Sequence, residues 1–248
     1  MTRIAVVGDV HGNLPALEAV IASAGEVDAW WCIGDTLGYG PCPLECVRRL
    51  RSLGATAVAG NHDLGCTGGI DLEHFNAAAR AACIWTMSLL DEESSSYVAS
   101  LPLREAVRDV LLVHGSPRDP VWEYVVSPRA ALGNLEAFGE PVCFNGHSHV
   151  PVVFSWPRNG GTGGAGLSME QPSGDARFTL EPSRRYLINA GSVGQPRDRD
   201  PRACFAVYSE EDREVSYHRV EYDIGATREK MREAGLPPFL SERLEMGI

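Results

Sequence analysis

Short apolar runs that end in glycine and a polar residue are the feature that most constrains this fold. Ile4–Val7 is the first such run, and Val142–Phe144 is a later one. Continuous runs of this length are typical of strands buried on both faces, as in parallel sheets. Because parallel strands end at one edge of a sheet, the polar residues that follow them should meet in one crevice. Five motifs carry these residues: Gly8-Asp9-Val10-His11-Gly12, Gly34-Asp35, Gly60-Asn61-His62-Asp63, His114-Gly115 and Gly146-His147-Ser148-His149.

The side chains in these motifs are the ligand types that a pair of divalent cations requires. They include two Asp, one Asn and four His as ligand candidates, with no thiolate, and the motifs hold five of the seven histidines of the chain. Two-metal hydrolytic sites place their ions about 3.5–4 Å apart, a gap that one carboxylate can bridge. Imidazole and carboxylate ligands together suit Mn, Fe, Zn or Ni. The motifs therefore predict a dinuclear metal site.

The spacing within the motifs supports a shared site. Asp9 and His11 are two residues apart, as are His147 and His149. Alternate residues of an extended segment point the same way, so each pair is predicted to face one ion from an extended backbone. Asn13 is predicted to cap the helix that follows the first motif.

All five motifs, in this order, resemble those of calcineurin-like metallophosphoesterases, especially the small bacterial and archaeal phosphodiesterase branch. The matching residues span 9–149, and Asn189–Gly194 resembles a further motif of that family. The resemblance implies an α/β fold of the α+β sandwich kind, in which two packed mixed β-sheets are flanked by helices in an αββα arrangement.

The resemblance also implies a role for each matching residue. Asp35 would bridge two metal sites, and His62 would lie beside the substrate and assist the leaving group as the catalytic residue. The first metal would be bound by Asp9, His11, Asp35 and His149, and the second by Asp35, Asn61, His114 and His147. The two remaining histidines, His74 and His218, are expected to be surface or hydrogen-bonded residues.

The expected activity is metal-dependent hydrolysis of a phosphate ester, with a diester as the favoured substrate. A hydroxide that bridges two divalent ions, with Mn favoured and Fe, Zn or Ni as alternatives, would attack phosphorus in line. One alternative is a nucleotide-polyphosphate or phosphoprotein phosphatase with the same site. Another is a non-catalytic metal-binding interaction scaffold, which the retention of every ligand position and of His62 argues against.

Two arginines close to the motifs are candidates for binding the substrate phosphate. Arg118 follows the His114-Gly115 motif, and Arg197 follows the Asn189–Gly194 motif. A guanidinium group can donate two hydrogen bonds to a phosphate. The alternative is a surface ion pair with the adjacent Asp119 or Asp198. Tyr39 is a further candidate, either for stacking on a base or for covering a turn.

Length and composition predict one ordinary globular domain over residues 1–248. The chain has 44% hydrophobic and 22% charged residues, and it lacks both a signal-like N-terminus and an apolar run of membrane-spanning length. We therefore predict a cytoplasmic protein without membrane contact, whose seven cysteines are mostly reduced. The net charge of −11 disfavours non-specific nucleic-acid binding. A small phosphate-ester or nucleotide substrate stays compatible with this charge, because bound cations invert the local sign.

Alternating strands and helices are predicted up to about residue 101, and mainly strands follow. The predicted helices are 14–24, 43–53, 72–87, 91–101, 128–138 and 224–234, with a short tail after Pro237-Pro238. The predicted strands are 3–8, 28–33, 56–59, 103–107, 110–114, 142–145, 151–155, 177–180, 185–189, 203–208 and 214–221. The glycine-rich segment 159–166 is predicted to be a flexible hairpin tip, with a mobile flap over the site as the alternative.

Overall fold

A computed structural model describes residues 2–158 and 165–248 of the chain. Twelve strands are present in these residues. They are β1 (Arg3–Val7), β2 (Ala29–Cys32), β3 (Thr56–Ala57), β4 (Arg104–Val107), β5 (Val110–Val113), β6 (Val142–Asn145), β7 (Val152–Pro157), β8 (Ser168–Glu170), β9 (Ala176–Thr179), β10 (Arg184–Asn189), β11 (Ala203–Ser209) and β12 (Glu214–Val220).

The strands form two mixed sheets of six strands each. The first has the order β3-β2-β1-β11-β12-β9 and the second β4-β5-β6-β10-β7-β8. In the first sheet β1, β2 and β3 are parallel, and in the second β5, β6 and β10 are parallel. The remaining neighbours are antiparallel. Each sheet therefore has one group of adjacent strands whose carboxyl ends lie at the same edge.

The main core lies between the two sheets and follows from the alternation of side chains along each strand. Ile4 and Val6 of β1 pack in this inter-sheet core together with Leu112 and Phe144 of the second sheet. The intervening residues of β1 face the other way and pack against helices. Helices thus cover the outer faces, and the predicted αββα sandwich is confirmed.

Eight α-helices are present in the described residues. They are α1 (Leu14–Ala24), α2 (Pro43–Ser52), α3 (Asn61–Cys66), α4 (Ala77–Met87), α5 (Glu92–Ala99), α6 (Pro128–Leu132), α7 (Ile224–Glu233) and α8 (Pro238–Met246). Helix α1 begins as predicted, because the Asn13 side chain accepts a hydrogen bond from the Ala16 N–H.

Two predicted helices were wrong in extent, and both errors have a local cause. The single helix predicted over 72–87 is divided into a 3₁₀ turn at Leu72–His74 and helix α4. Asn76 is extended between them and caps α4 by accepting from the Ala79 N–H. The helix predicted over 128–138 ends at Leu132, and Asn134 beyond it uses its side-chain amide to bond the Ala130 carbonyl instead.

Three short elements had not been predicted. They are α3, which begins inside the third motif, strand β8, and helix α8, which occupies the predicted tail. The prediction for the glycine-rich segment 159–166 falls, apart from Ala165 and Gly166, outside the described residues. Within the described ranges, no helix has the length and apolarity needed to cross a membrane.

Candidate metal centre

The carboxyl ends of the parallel strands of both sheets meet at one place and deliver the motif residues there. Asp9 follows β1, Asp35 follows β2, and Asn61 begins α3 just after β3. From the second sheet, His114 follows β5, and His147 and His149 follow β6. All seven predicted ligands are at most 4% exposed, although they come from two different sheets.

Backbone strain is concentrated at this junction. Nine described non-glycine residues have positive φ, and five of them are predicted ligands: Asp9, His11, Asp35, His147 and His149. This conformation costs energy for side chains with a Cβ and is typical of functional sites. It also corrects the predicted local geometry. The Asp9 and His11 pair and the His147 and His149 pair reach the site from left-handed turns rather than from an extended backbone.

Each of the four histidines is anchored by a backbone carbonyl. His11 Nδ1 lies 2.9 Å from Leu37 O, and His114 Nδ1 lies 2.9 Å from Ile33 O. His149 Nδ1 lies 2.6 Å from Gln195 O, and His147 Nε2 lies 3.2 Å from Trp122 O. Because a carbonyl only accepts, the anchored nitrogen must carry the proton, and in a neutral ring the other nitrogen holds a lone pair.

These free nitrogens face one another in two pairs. His11 Nε2 is 3.2 Å from His149 Nε2, and His114 Nε2 is 3.1 Å from His147 Nδ1. Two lone pairs at this distance repel each other unless a cation or a proton lies beside them. The Asn61 side-chain oxygen, 3.2 Å from His114 Nε2, adds a further acceptor to the second pair. The donor set therefore fits two metal ions, one at each pair.

The Asp35 carboxylate lies between the two pairs of histidines. Its Oδ2 is 3.6 Å from His11 Nε2 and 3.3 Å from His114 Nε2. Its Oδ1 accepts a hydrogen bond of 2.8 Å from the His62 N–H, which fixes the orientation of the group. The Asp9 carboxylate lies beside the imidazole rings of the first pair, with Oδ1 3.2 Å from His149 Nε2. This position of Asp35 is the one that a bridging ligand would need.

The electrostatics of the cluster reflect burial and the neighbouring charges. Burial raises the pKa of Asp9 to about 7 and lowers the pKa of His147 to about 3. Burial alone would raise the pKa of Asp35, but His114 and His62 hold it well below its usual range. The pKa of His114 is raised to about 9, because the Asp35 charge outweighs the effect of burial. A cation that binds there must displace this proton.

Among the residues that the structure describes, three groups of side chains are close enough to hold a cation. Two of them, Asp9 with His11 and His149, and Asp35 with His114 and His147, correspond to the two predicted metal sites. The third joins His62 to His11 and Asp35. His62 is therefore near enough to be a ligand as well as a proton donor, and the two roles require an experiment to separate them.

The surroundings of His62 contain contacts that the motifs could not reveal. Its Nδ1 is 3.5 Å from the Cys83 thiol of α4, which leaves Nε2 as the nitrogen that can face the cluster. The hydrogen bond from Cys66 and the nearby His62 lower the pKa of Cys83 to about 6, although burial opposes this. Tyr39 packs on His62 and His11 with ring centroids 4.3 and 4.5 Å away, so its ring covers the two histidines.

Asp63 and Arg118 both form contacts outside the cluster of predicted ligands. The Asp63 carboxylate accepts hydrogen bonds from the Gly60 and Leu37 N–H groups, so it supports the turn before α3 rather than the His62 ring. Arg118 forms an ion pair with Glu123 and is absent from the lining of the cavity over the cluster. Its predicted contact with the substrate therefore stays a prediction, without geometric support.

Arg197, unlike Arg118, lies beside the cluster of predicted ligands. It lines the cavity over the cluster, and its Nη2 donates to Gln195 Oε1 at 3.1 Å. Its buried Nε has no partner, and across residues 2–158 and 165–248 no carboxylate lies within ion-pair distance of it. Asp198, the partner considered from the sequence, pairs with Arg219 instead. Arg243 of α8 lies nearby, and burial together with the Arg197 charge lowers its pKa to about 10.

A cavity of about 200 Å³ opens over the cluster. Its polar floor includes Asp35, Asn61 and His147, and its outer wall includes Phe75, Trp122 and Tyr124. These aromatic residues were not predicted as site residues. Trp122 and Tyr124 occur within ten residues of the His114-Gly115 motif, which is a usable signal. Phe75 and Cys83 are brought to the site by the packing of α3 against α4, for which the sequence gives no direct sign.

Comparison with known proteins shows the family of the chain. Residues 2–213 match the model of the calcineurin-like phosphoesterase superfamily domain. The crystal structure of a metallophosphoesterase from Sphaerobacter thermophilus is 44% identical, with a TM-score of 0.89 over 100% of this chain and 99% of that one. Protein MJ0912 of Methanocaldococcus jannaschii is 36% identical over 99% of this chain and 98% of its own length.

A shorter match connects the chain to nucleotide hydrolases. The symmetrical bis(5'-nucleosyl)-tetraphosphatase of Pectobacterium atrosepticum is 45% identical over 64 residues, which are 24% of this chain and 23% of that protein.

The fold and site define a metallophosphoesterase, and the chain belongs to the calcineurin-like phosphoesterase superfamily. It is accordingly a hydrolase of phosphoric esters, in a family that typically uses divalent metals.

Proposed function

We propose that this protein is a phosphodiesterase that hydrolyses a small phosphate ester by in-line attack at a dinuclear metal centre. The observation that carries the proposal is the pairing of four carbonyl-anchored histidines around one central carboxylate, Asp35. Such anchoring is how proteins orient imidazole ligands toward a metal. The geometry supports a shared bridging ligand and hence two ions rather than one.

The residues proposed to hold the ions fall into two sets that share Asp35. When bound, two divalent cations would lower the pKa of a water molecule and offset the charge of the phosphoryl group. We propose Mn first, with Fe, Zn or Ni as alternatives, because the donors are imidazole and oxygen without thiolate. The sets are Asp9, His11, Asp35 and His149, and Asp35, Asn61, His114 and His147.

Two further residues are proposed to act on the ester itself. His62 lines the cavity, and its Nε2 is free to donate a proton to the leaving oxygen. Arg197 lines the same cavity and has guanidinium donors available for a non-bridging phosphate oxygen. Together they would bind and orient the phosphate while Tyr39 keeps His62 in place.

A second candidate is hydrolysis of a nucleotide polyphosphate. The specific observation in its favour is the 64-residue similarity to symmetrical bis(5'-nucleosyl)-tetraphosphatases. Against it, Arg197 is the only Lys or Arg among the described residues that line the cavity. A chain of phosphates carries several negative charges, and one guanidinium group can form a bidentate pair with only one phosphate at a time. The diester proposal therefore fits the charge of the cavity better.

The test is hydrolysis by the purified protein loaded with Mn²⁺, Fe²⁺, Zn²⁺ or Ni²⁺ in turn. The substrates are a diester, a monoester, a 3',5'-cyclic nucleotide, a dinucleoside tetraphosphate and a phosphopeptide. We expect kcat/KM to be highest for a diester, linear or cyclic. Preference for the tetraphosphate would favour the second candidate, and no hydrolysis of any ester with any metal would reject both.

The proposed cellular setting is the cytoplasm, with a small phosphate ester or nucleotide as substrate. All seven cysteines are free and buried, as expected for a reducing compartment. The net charge of −11 supports a small substrate rather than a nucleic-acid duplex. Fractionation of cells that express a tagged chain would test the location.

A further inference from the structure

We propose that the mouth of this cavity is a subsite for a nucleobase, which stacks on Trp122 while the attached phosphate reaches the histidine cluster. This inference rests on the proposed function and names the class of substrate, a nucleoside ester of a single phosphate. Four observations carry it: the continuity of the cavity, the aromatic character of its wall, the state of the Trp122 ring and the charge of the lining.

The cavity is continuous from the cluster to an aromatic mouth. Asn61 and His147 lie on its floor, and Phe75 and Trp122 lie on its wall. The two aromatic residues come from different segments, Phe75 from the segment between the 3₁₀ turn and α4, and Trp122 from the loop after β5. A volume of about 200 Å³ lies below the usual range of ligand sites, about 300–1,000 Å³, so any ligand larger than one phosphate and one ring system would extend beyond the cavity.

The Trp122 indole is held in place yet not covered by a parallel ring. It contacts Phe75 and His74 with interplanar angles of 67° and 62°, so both contacts are edge-to-face. No other aromatic residue in the described ranges is in ring contact with it. An aromatic residue in this state is a platform on which a base can stack.

The loop that carries Trp122 is tied to the proposed second metal site. The Trp122 carbonyl accepts from His147 Nε2 at 3.2 Å, and the Tyr124 ring lies parallel to the His147 ring at 4.1 Å. A group that stacks on Trp122 therefore lies next to the residue that holds His147, a proposed ligand of the second metal ion. Because the backbone carbonyl makes the contact with His147, replacing the Trp122 side chain should leave the anchor of that ligand in place.

The charge of the lining favours a neutral planar group beside one phosphate. Among the described residues that line the cavity, Arg197 is the single Lys or Arg and Asp35 the single carboxylate. A neutral base can pack against aromatic side chains without a counter-charge, whereas a further phosphate would lack a counter-charge there.

The experiment compares two ligands that differ only in the base. Binding of adenosine 5'-monophosphate and ribose 5-phosphate to the Mn²⁺-loaded protein is measured by calorimetry, within a time in which chromatography shows both ligands intact. We expect the nucleotide to bind about 10- to 100-fold more tightly, the range given by one base–aromatic stack. Equal Kd values for the two ligands would overturn the subsite.

Three variants assign the effect to the indole. Trp122→Ala should lose most of the preference for the nucleotide, with the Kd for ribose 5-phosphate unchanged as evidence of an intact site. Trp122→Phe should keep most of it. Phe239→Ala removes an exposed aromatic side chain of α8 outside the cavity lining and should change neither Kd. A full preference in Trp122→Ala would exclude the indole as the platform.

The outcome is independent of the test of the proposed function. If the wild-type protein hydrolyses a diester but binds both ligands equally, the subsite is rejected and the hydrolytic function stands. If it binds the nucleotide preferentially but hydrolyses no ester, the hydrolytic function is rejected and the base-binding site stands.

Discussion

Asp35 is the residue on which the two-metal arrangement depends most. One of its oxygens faces both histidine pairs, and the other is held by the His62 N–H. Asp35→Asn keeps the size of the side chain but removes its charge, so we expect both sites to lose affinity together. Elemental analysis of the purified variant measures this. Two tightly retained metals per chain would contradict the bridging role.

His62 lies close to His11 and Asp35 and also lines the cavity, and His62→Ala separates the roles of metal ligand and proton donor. We expect the variant to keep its metals and to lose about 10²- to 10⁴-fold in the rate of bond cleavage on an alkyl or nucleoside diester. The loss on a nitrophenyl diester should be much smaller, because nitrophenolate leaves without a proton.

The comparison for His62 requires that bond cleavage limits the rate for both substrates. Metal content by elemental analysis and kcat for the two esters are the measurements. Metal loss, or an equal loss of rate on both esters under that condition, would assign His62 to the metal centre instead.

The sequence offers both Arg197 and Arg118 as candidates for binding the substrate phosphate. In the structure, Arg197 lines the cavity and Arg118 does not. Arg197→Ala should lower kcat/KM about 10- to 100-fold, as expected for the loss of one charge-assisted hydrogen bond of about 1.5–3 kcal/mol. Arg118→Ala should have a much smaller effect, because its guanidinium group is paired with Glu123 outside the cavity lining. Steady-state kinetics with metal content as control decides, and the reverse order would exchange the two assignments.

The turns after the strands, rather than the strands themselves, set the geometry of the site. Gly60 shows this most directly, since a methyl group at its Cα would overlap the Asp35 carboxylate. We expect Gly60→Ala to reduce metal affinity about 10- to 100-fold, the range typical of disturbed supporting groups. Gly139→Ala is the matched control, because its added Cβ would meet nothing within 4 Å. Competition with a metal-sensitive dye measures affinity, and equal affinities in both variants would refute the steric argument.

At the scale of elements, the sequence predicted what depends on local periodicity and missed what depends on packing. Strand β6 has the predicted bounds, and α1 begins where its Asn13 cap predicts. The six-residue α3 is too short to produce a period, and the polar third motif conceals its start. Helix α8 was missed because Pro237-Pro238 was taken as a break, whereas Pro238 is the first residue of the helix.

For the site as well, the sequence predicts what depends on local motifs and misses what depends on packing. The ligand types are visible in the sequence because each lies in a motif at a strand end. The left-handed turns at Asp9 and His147 were not foreseen, since a residue pair two apart is compatible with an extended backbone. Trp122 and Cys83 reach the site through a loop and through helix packing, and such long-range contacts leave no periodic signal.

At the scale of the whole molecule, the proposed metal centre depends on the packing of the two sheets against each other. Asp9, His11 and Asp35 come from the first sheet, and His114, His147 and His149 come from the second. The inter-sheet core that contains Val6 and Phe144 therefore sets the distance between the two halves of the centre. This is the physical reason to propose that residues 1–248 act as one domain.

We propose that one chain binds two metal ions and that both are needed for ester hydrolysis. Titration of the metal-free protein with Mn²⁺ tests this directly, when bound metal and the hydrolysis of a chromogenic diester are recorded in the same sample. We expect little activity at one ion per chain and full activity at two. Full activity at one ion per chain, or two bound ions without hydrolysis, would contradict it.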